Sequence, residues 1–328
     1  MKFSVDTWDP TYDSAVELEA LPQSEVQVDT TIEVSTAKWA PIPALQPDGQ
    51  KRDLLFVDGV RRIDARVWID DAATSATDSS PSFAGICASY AAGVVCCCQQ
   101  GAHLITSEVR RGLFTSAVTG THIPIGGGTY VFHRVVAGSY VAVAVSLSNA
   151  VQRALTDLEI VAAVQARAVG CPYGTAADNL LIIDGPLRDR AHLPRALGYV
   201  KTHQAQYLPP ELNAVVAQLE TAARTPIFAI ATGWQRYSWY LRLPCTPAGP
   251  WAGIVRLEAA PTLDLAEAVA LANASQQLLA RFVSVEYKDS RAPQNLVPIA
   301  GLERQLRHRL GDASRLYREI RAAALSFS

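Results

Sequence analysis

The chain has 328 residues, 49% of them hydrophobic, and a formal net charge of −2. Such a sequence can bury a sizeable core and is not globally disordered. A protein that only coats nucleic acid is basic throughout, so near-neutrality excludes that class and confines any phosphate contact to local patches.

Residues 1–50 are acidic and weakly periodic. Eight Asp and Glu from Asp6 to Glu33 face only Lys2 and Lys38 over the first 40 positions. We read this segment as an N-terminal extension, suited to a docking role, and residues 51–328 as one mixed α/β domain. Met1–Asp9 has no apolar stretch of the signal-peptide kind, and no run of about 18 apolar residues predicts a membrane span. The six cysteines lack the separated, turn-spaced pairs of a zinc site. They read as buried thiols in a reducing compartment, and a cytoplasmic location is expected.

Strand signals follow. Leu54–Val57 is a short apolar run closed by the turn dipeptide Asp58-Gly59, and Ala65–Ile69 alternates. Residues 72–82 read as a loop. Phe83–Cys98 is a long buried strand, and Val109–Phe114 and Thr129–Val136 are separated by Gly126-Gly127-Gly128. From Leu147 the apolar period shifts to three and four residues, which predicts a helix to about Gln165. Leu180–Ile183 is a strand ending at Asp184-Gly185-Pro186, and Ala196–Lys201 is another. A helix over Leu212–Ala223, strands at 226–231, 237–243 and 254–258, a helix over Leu265–Val283 and one long helix over Leu302–Leu325 complete the reading.

Two places repeat one pattern, an apolar strand delivering an Asp followed by Gly: Leu54-Leu55-Phe56-Val57-Asp58-Gly59 and Leu180-Leu181-Ile182-Ile183-Asp184-Gly185. Ligands in open α/β sheets sit beyond the carboxyl ends of strands. Two carboxylates brought together there repel unless a cation lies between them, and hard oxygen ligands favour Mg²⁺ or Mn²⁺. The helix before the second strand offers a third carboxylate, either Asp157 or Glu159.

In order along the chain, Phe56-Val57-Asp58-Gly59-Val60-Arg61-Arg62, Thr156-Asp157-Leu158-Glu159-Ile160-Val161-Ala162 and Leu181-Ile182-Ile183-Asp184-Gly185-Pro186-Leu187 resemble motifs of the NurA nuclease family. So do Gly198–Thr202, Ser238–Leu243 and Asp289–Pro298, and the likeness spans about residues 50–312. The resemblance implies an RNase H-like mixed sheet flanked by helices, a homodimer, two Mn²⁺ (or Mg²⁺) ions, and cleavage of single strands and ends of DNA. It also implies work beside a HerA-type hexameric translocase in double-strand break end resection and repair. Asp58, Glu159 and Asp184 match the family's metal-binding carboxylates. Archaeal members carry a His on the C-terminal helix where this chain has Glu303, with His308 about one turn later. That departure leaves the fourth ligand open; our assignment gives the place to Glu303 and turns His308 toward nucleic acid. Helix geometry also favours Glu159 over Asp157, which fall about 70° and 130° from the centre of the apolar stripe.

Lys201 is positioned to hold the scissile phosphate as a point charge, and Arg61, Arg62 and Arg188 to contact DNA. Residues 185–203 carry four Lys/Arg against Asp189, and residues 281–321 carry nine against five acids; such faces suit a phosphate backbone. Trp234, Trp239 and Tyr240 are stacking candidates, although packing in the core is the better account of them. Two other readings compete: a non-catalytic DNA-binding scaffold, and an RNase H-like enzyme acting on RNA.

Overall fold

The fold is known from a computed structural model, which describes residues 26–44, 52–70, 82–136, 141–173, 179–203, 205–246 and 249–326. The loop expected at 72–82 lies almost wholly outside the described residues. The strands are β1 (Gln27–Asp29), β2 (Leu54–Asp70), β3 (Ser82–Cys98), β4 (Gly101–Thr115), β5 (Ile123–Ile125), β6 (Gly128–Arg134), β7 (Leu180–Asp184), β8 (Ala196–Val200), β9 (Phe228–Ala231), β10 (Gln235–Arg242) and β11 (Ile254–Ala259). The helices are α1 (Val143–Val169), α2 (Pro210–Ala217), α3 (Leu265–Ala280), α4 (Val297–Arg309) and α5 (Ala313–Ser326). The class is mixed α/β: β7 and β8 pair parallel, as do β4 and β6, while β8–β11, β11–β10 and β10–β9 pair antiparallel. No helix among the described residues is long and apolar enough to cross a membrane.

The chain divides into two compact units. One comprises Met1–Phe56, Cys96–Ala102 and Pro172–Ala300; the other comprises Val57–Val95, His103–Cys171 and Gly301–Ser328. The first carries the strand run β1-β9-β10-β11-β8-β7, with the start of β2 beside β7. Its core gathers Trp39, Leu212, Val216, Phe228, Ile230, Tyr240 and Ile254. Part of the acidic extension belongs to this core: β1 pairs antiparallel with β9, and Trp39 lies 6.2 Å from Phe228. Glu33 grips Arg224 through both carboxylate oxygens at 2.7 and 2.8 Å and accepts the Ile227 N–H at 2.7 Å. Arg224 is 1% exposed, and its guanidinium also donates to Asn273 Oδ1. Burial works to raise the Glu33 pKa; the Arg224 hydrogen bonds and charge overcome it and hold the carboxyl below its ordinary value.

The second unit carries the run β2-β3-β4-β6-β5, with a cluster of Ala65, Cys87, Leu113, Tyr130 and Ile320. Asp58-Gly59 is not a turn here, contrary to the sequence expectation. β2 runs through it without interruption for 17 residues, buried to Asp58 and alternating beyond it. Gly59 serves close packing instead: a Cβ there would meet Leu155 Cδ1 at 2.6 Å and Glu159 Oε1 at 2.8 Å, so α1 lies directly on the strand. Gly185, by contrast, does turn the chain, with φ 110° in a region that favours glycine. The expected long C-terminal helix is two helices. Gly311 adopts φ 83°, and Asp312 caps α5 by accepting the Arg315 N–H at 2.6 Å, a glycine stop followed by an acidic N-cap.

Arg224→Ala leaves Glu33 and Asn273 facing a void and should destabilise the chain by about 3 kcal/mol, the scale for breaking a buried ion pair from one side; denaturant unfolding of the variant measures it. Gly59→Ala should cost about 1–3 kcal/mol through overpacking against α1, and a melting temperature equal to wild type would show that the helix moves aside freely.

Candidate functional site

Asp184 ends β7, and Lys201 follows β8, the parallel neighbour in which Tyr199 is the register partner of Asp184. Residues two apart on a strand share a face, so Lys201 and Tyr199 come up on the Asp184 side. Lys201 Nζ donates to Asp184 Oδ2 at 2.7 Å and to Asn295 Oδ1 at 3.3 Å. Asn295 is fully buried and donates in turn to Asp289 Oδ2 at 2.6 Å. Asp289 also accepts the Arg291 backbone N–H. The hydroxyl of Tyr199 donates to the Gln294 carbonyl at 2.6 Å; burial, then the nearby Asp184 charge, pushes its pKa well above the ordinary value. Lys201 is therefore held in place by a carboxylate and an amide, and is 15% exposed rather than solvated at a strand end.

In the second unit, three carboxylates are buried on three elements: Asp58 on β2, Glu159 on α1 and Glu303 on α4, at 6, 5 and 7% exposure. Asp58 Oδ1 accepts the Gly59 N–H at 2.8 Å. Glu159 Oε1 reaches the backbone at Gly59, next to Asp58, whereas Asp157 is exposed on the outer side of α1. Glu303 lies 3.5 Å from Arg307 on the same helix. All are hard oxygen donors of the kind that suits Mg²⁺ or Mn²⁺.

The basic candidates divide. Arg61 is exposed, with Nη1 on Ser148 Oγ at 3.3 Å, and Arg188 and His308 are exposed. Arg62 is committed within its own unit, to Asp64 and to the Gly311 carbonyl, both at 2.8 Å. Trp239 and Tyr240 are buried, and Trp239 Nε1 donates to Ser275; both are core residues and not stacking platforms. Trp234 stays half-buried at the β9–β10 hairpin.

Sequence reasoning gave no role to Asn295, although it lies inside the Asp289–Pro298 motif, nor to Glu258. Glu258 is fully buried, and its Oε2 accepts the Leu187 N–H at 2.8 Å, which ties down the segment following Asp184-Gly185. The available signal was Arg256 and Glu258, two charges two residues apart in a strand whose other members are apolar.

No family model matches the sequence, and no curated protein matches it. Among solved structures, the chain is similar to the crystal structure of the NurA nuclease from Sulfolobus solfataricus. Identity is 10% and the TM-score 0.44, over 83% of this chain and 84% of that one.

Proposed function

We propose that the chain is a divalent-metal-dependent nuclease acting on DNA, with Asp58, Asp184 and Glu303 as the carboxylates that share the cation. The observation that carries this reading is a placement seen within each unit. In the first, Asp184 closes the buried apolar strand β7. In the second, Asp58 follows the buried start of β2 and is 6% exposed, and Glu303 on α4 is 7% exposed. Oxygen donors buried in this way fit Mn²⁺ or Mg²⁺. Glu159, against the Asp58-Gly59 backbone, is the outer carboxylate of the same centre.

A bound divalent cation supplies Lewis-acid stabilisation of charge on the phosphate and a more acidic water. Lys201, steered by Asp184 and Asn295, holds the scissile phosphate. Arg61 and Arg188 attract the backbone on either side. The order of the sequence motifs supports the finer proposals, a homodimer working with a HerA-type translocase in end resection.

Digestion of end-labelled single- and double-stranded DNA with Mn²⁺, Mg²⁺ or EDTA tests the reading: cleavage should require the metal. Preferential cleavage of RNA would move the substrate class. Asp58→Asn and Asp184→Asn should each abolish cleavage and weaken Mn²⁺ binding in calorimetry while melting as wild type does; full activity in either folded variant would sink the metal assignment. For the third carboxylate, Glu159→Gln should lose roughly a hundredfold in Mn²⁺-dependent rate, because Gln keeps the shape and removes the charge. Asp157→Asn should stay within about threefold, since that side chain does not approach the centre. Equal rates for the two variants would mean that α1 contributes no ligand.

A further inference from the structure

One face of the first unit carries a group that the nuclease reading does not use. Register on β8, β11 and β10 makes Gly198, Glu258 and Ser238 partners, on the face opposite Tyr199 and hence opposite Asp184 and Lys201. On that face the Arg236 guanidinium lies 4.7 Å from the Trp234 ring centroid and 5.7 Å from that of Tyr207. The Arg256 guanidinium lies 4.8 Å from the Tyr207 ring centroid. The result is a ladder of cation–aromatic contacts in which Tyr207 meets both arginines and Trp234 meets Arg236.

Both arginines are buried, at 4 and 6% exposure, and both donate to the same oxygen, Glu258 Oε1, at 2.8 and 2.7 Å. Glu258 is the sole carboxylate paired with either arginine among the described residues. Two guanidinium charges therefore share one carboxylate charge. A surplus buried charge is costly without a counter-charge, whereas the two aromatic rings stay half-buried. The hairpin tip beside them is open, and nothing lies within 4 Å of a Cβ added at Gly233. The exposed Arg188 follows Leu187, whose amide Glu258 holds.

We propose that this ladder is a docking subsite for single-stranded polynucleotide, with a base stacked on Trp234 and a phosphate matched to the surplus charge of the Arg236–Arg256 pair. Single-stranded nucleic acid is bound by this combination of aromatic faces and cationic groove, and Arg–aromatic stacking adds to it. An apolar partner would cover the rings and leave the surplus charge buried. The proposal rests on the nucleic-acid reading of the preceding section but not on its metal centre, which lies on the other face of this sheet at Asp184.

The test is anisotropy in EDTA with a labelled oligothymidylate of about 16 nucleotides, enough for one site, and the matching oligouridylate. Trp234→Ala should weaken binding of both about tenfold, the scale of one lost base stack. Trp234→Phe should recover most of it, and affinity for a blunt hairpin duplex should change by less than about twofold, because paired bases do not reach the ring. On the wild-type chain, photo-crosslinking of a bromouracil-substituted strand should map to Tyr207 or Trp234, which keeps the proposal testable if Trp234→Ala fails to fold. Failure of the wild-type chain to bind single strands overturns the proposal. So does unchanged affinity of folded Trp234→Ala, an equal loss on the duplex, or crosslinks confined to other segments. Metal-dependent cleavage with no effect at Trp234 removes this subsite and leaves the nuclease intact; Trp234-dependent binding without any cleavage does the reverse.

Discussion

An ionised carboxylate taken out of water must be met by positive charge or by N–H donors, or it loses its charge. This chain meets the requirement repeatedly and builds its architecture around the result. Glu33 takes the Arg224 fork and a backbone amide. Asp64 takes Arg62, Ser89 and Tyr130. Glu258 takes two arginines and the Leu187 amide, and Asp184 takes Lys201. Each such cluster joins segments far apart in sequence. The clusters that hold the fold use Arg, whose planar fork meets several acceptors at once. Asp184 is paired with Lys201 instead, a compact charge on a flexible stem.

Much of this was legible in the sequence because it is periodic. α1 announced itself through Leu147, Val151, Leu155 and Leu158, and the same period put Glu159 inside and Asp157 outside, as the burial of the two residues bears out. β7 and its terminal Asp184-Gly185 were readable as an apolar run ended by a residue that needs a positive φ. Arg62, assigned to DNA from its place beside Asp58, is held by Asp64 and a carbonyl; sequence spacing places a side chain on a face but does not name its partner.

Other features were illegible for physical reasons. Asp58-Gly59 is a turn dipeptide in sequence, yet a long β-ladder and the approach of α1 override a local preference. The glycine is selected for the absence of a Cβ and not for its dihedral freedom. The break between α4 and α5 was written as Gly311-Asp312, but an uninterrupted apolar and basic pattern on both sides masked it. The cation–aromatic ladder has no linear signature. Its members come from a loop, a hairpin and two strands, and only antiparallel register makes them neighbours.

The pairing of β1 with β9 has a consequence for how the chain behaves in company. β9 would otherwise present the unpaired N–H and C=O groups of Phe228–Ala231 at the margin of its sheet, a template on which another chain can add a strand. Three residues of the N-terminal segment occupy that margin. Asp29 then turns the backbone away by accepting the Thr31 N–H at 2.8 Å and the Thr31 hydroxyl at 2.7 Å. The new margin is short, ends in a charge and offers little purchase. Gln27–Asp29, part of an extension that the sequence suits to docking, thus act as a guard rail, keeping the sheet of one molecule from continuing into that of the next.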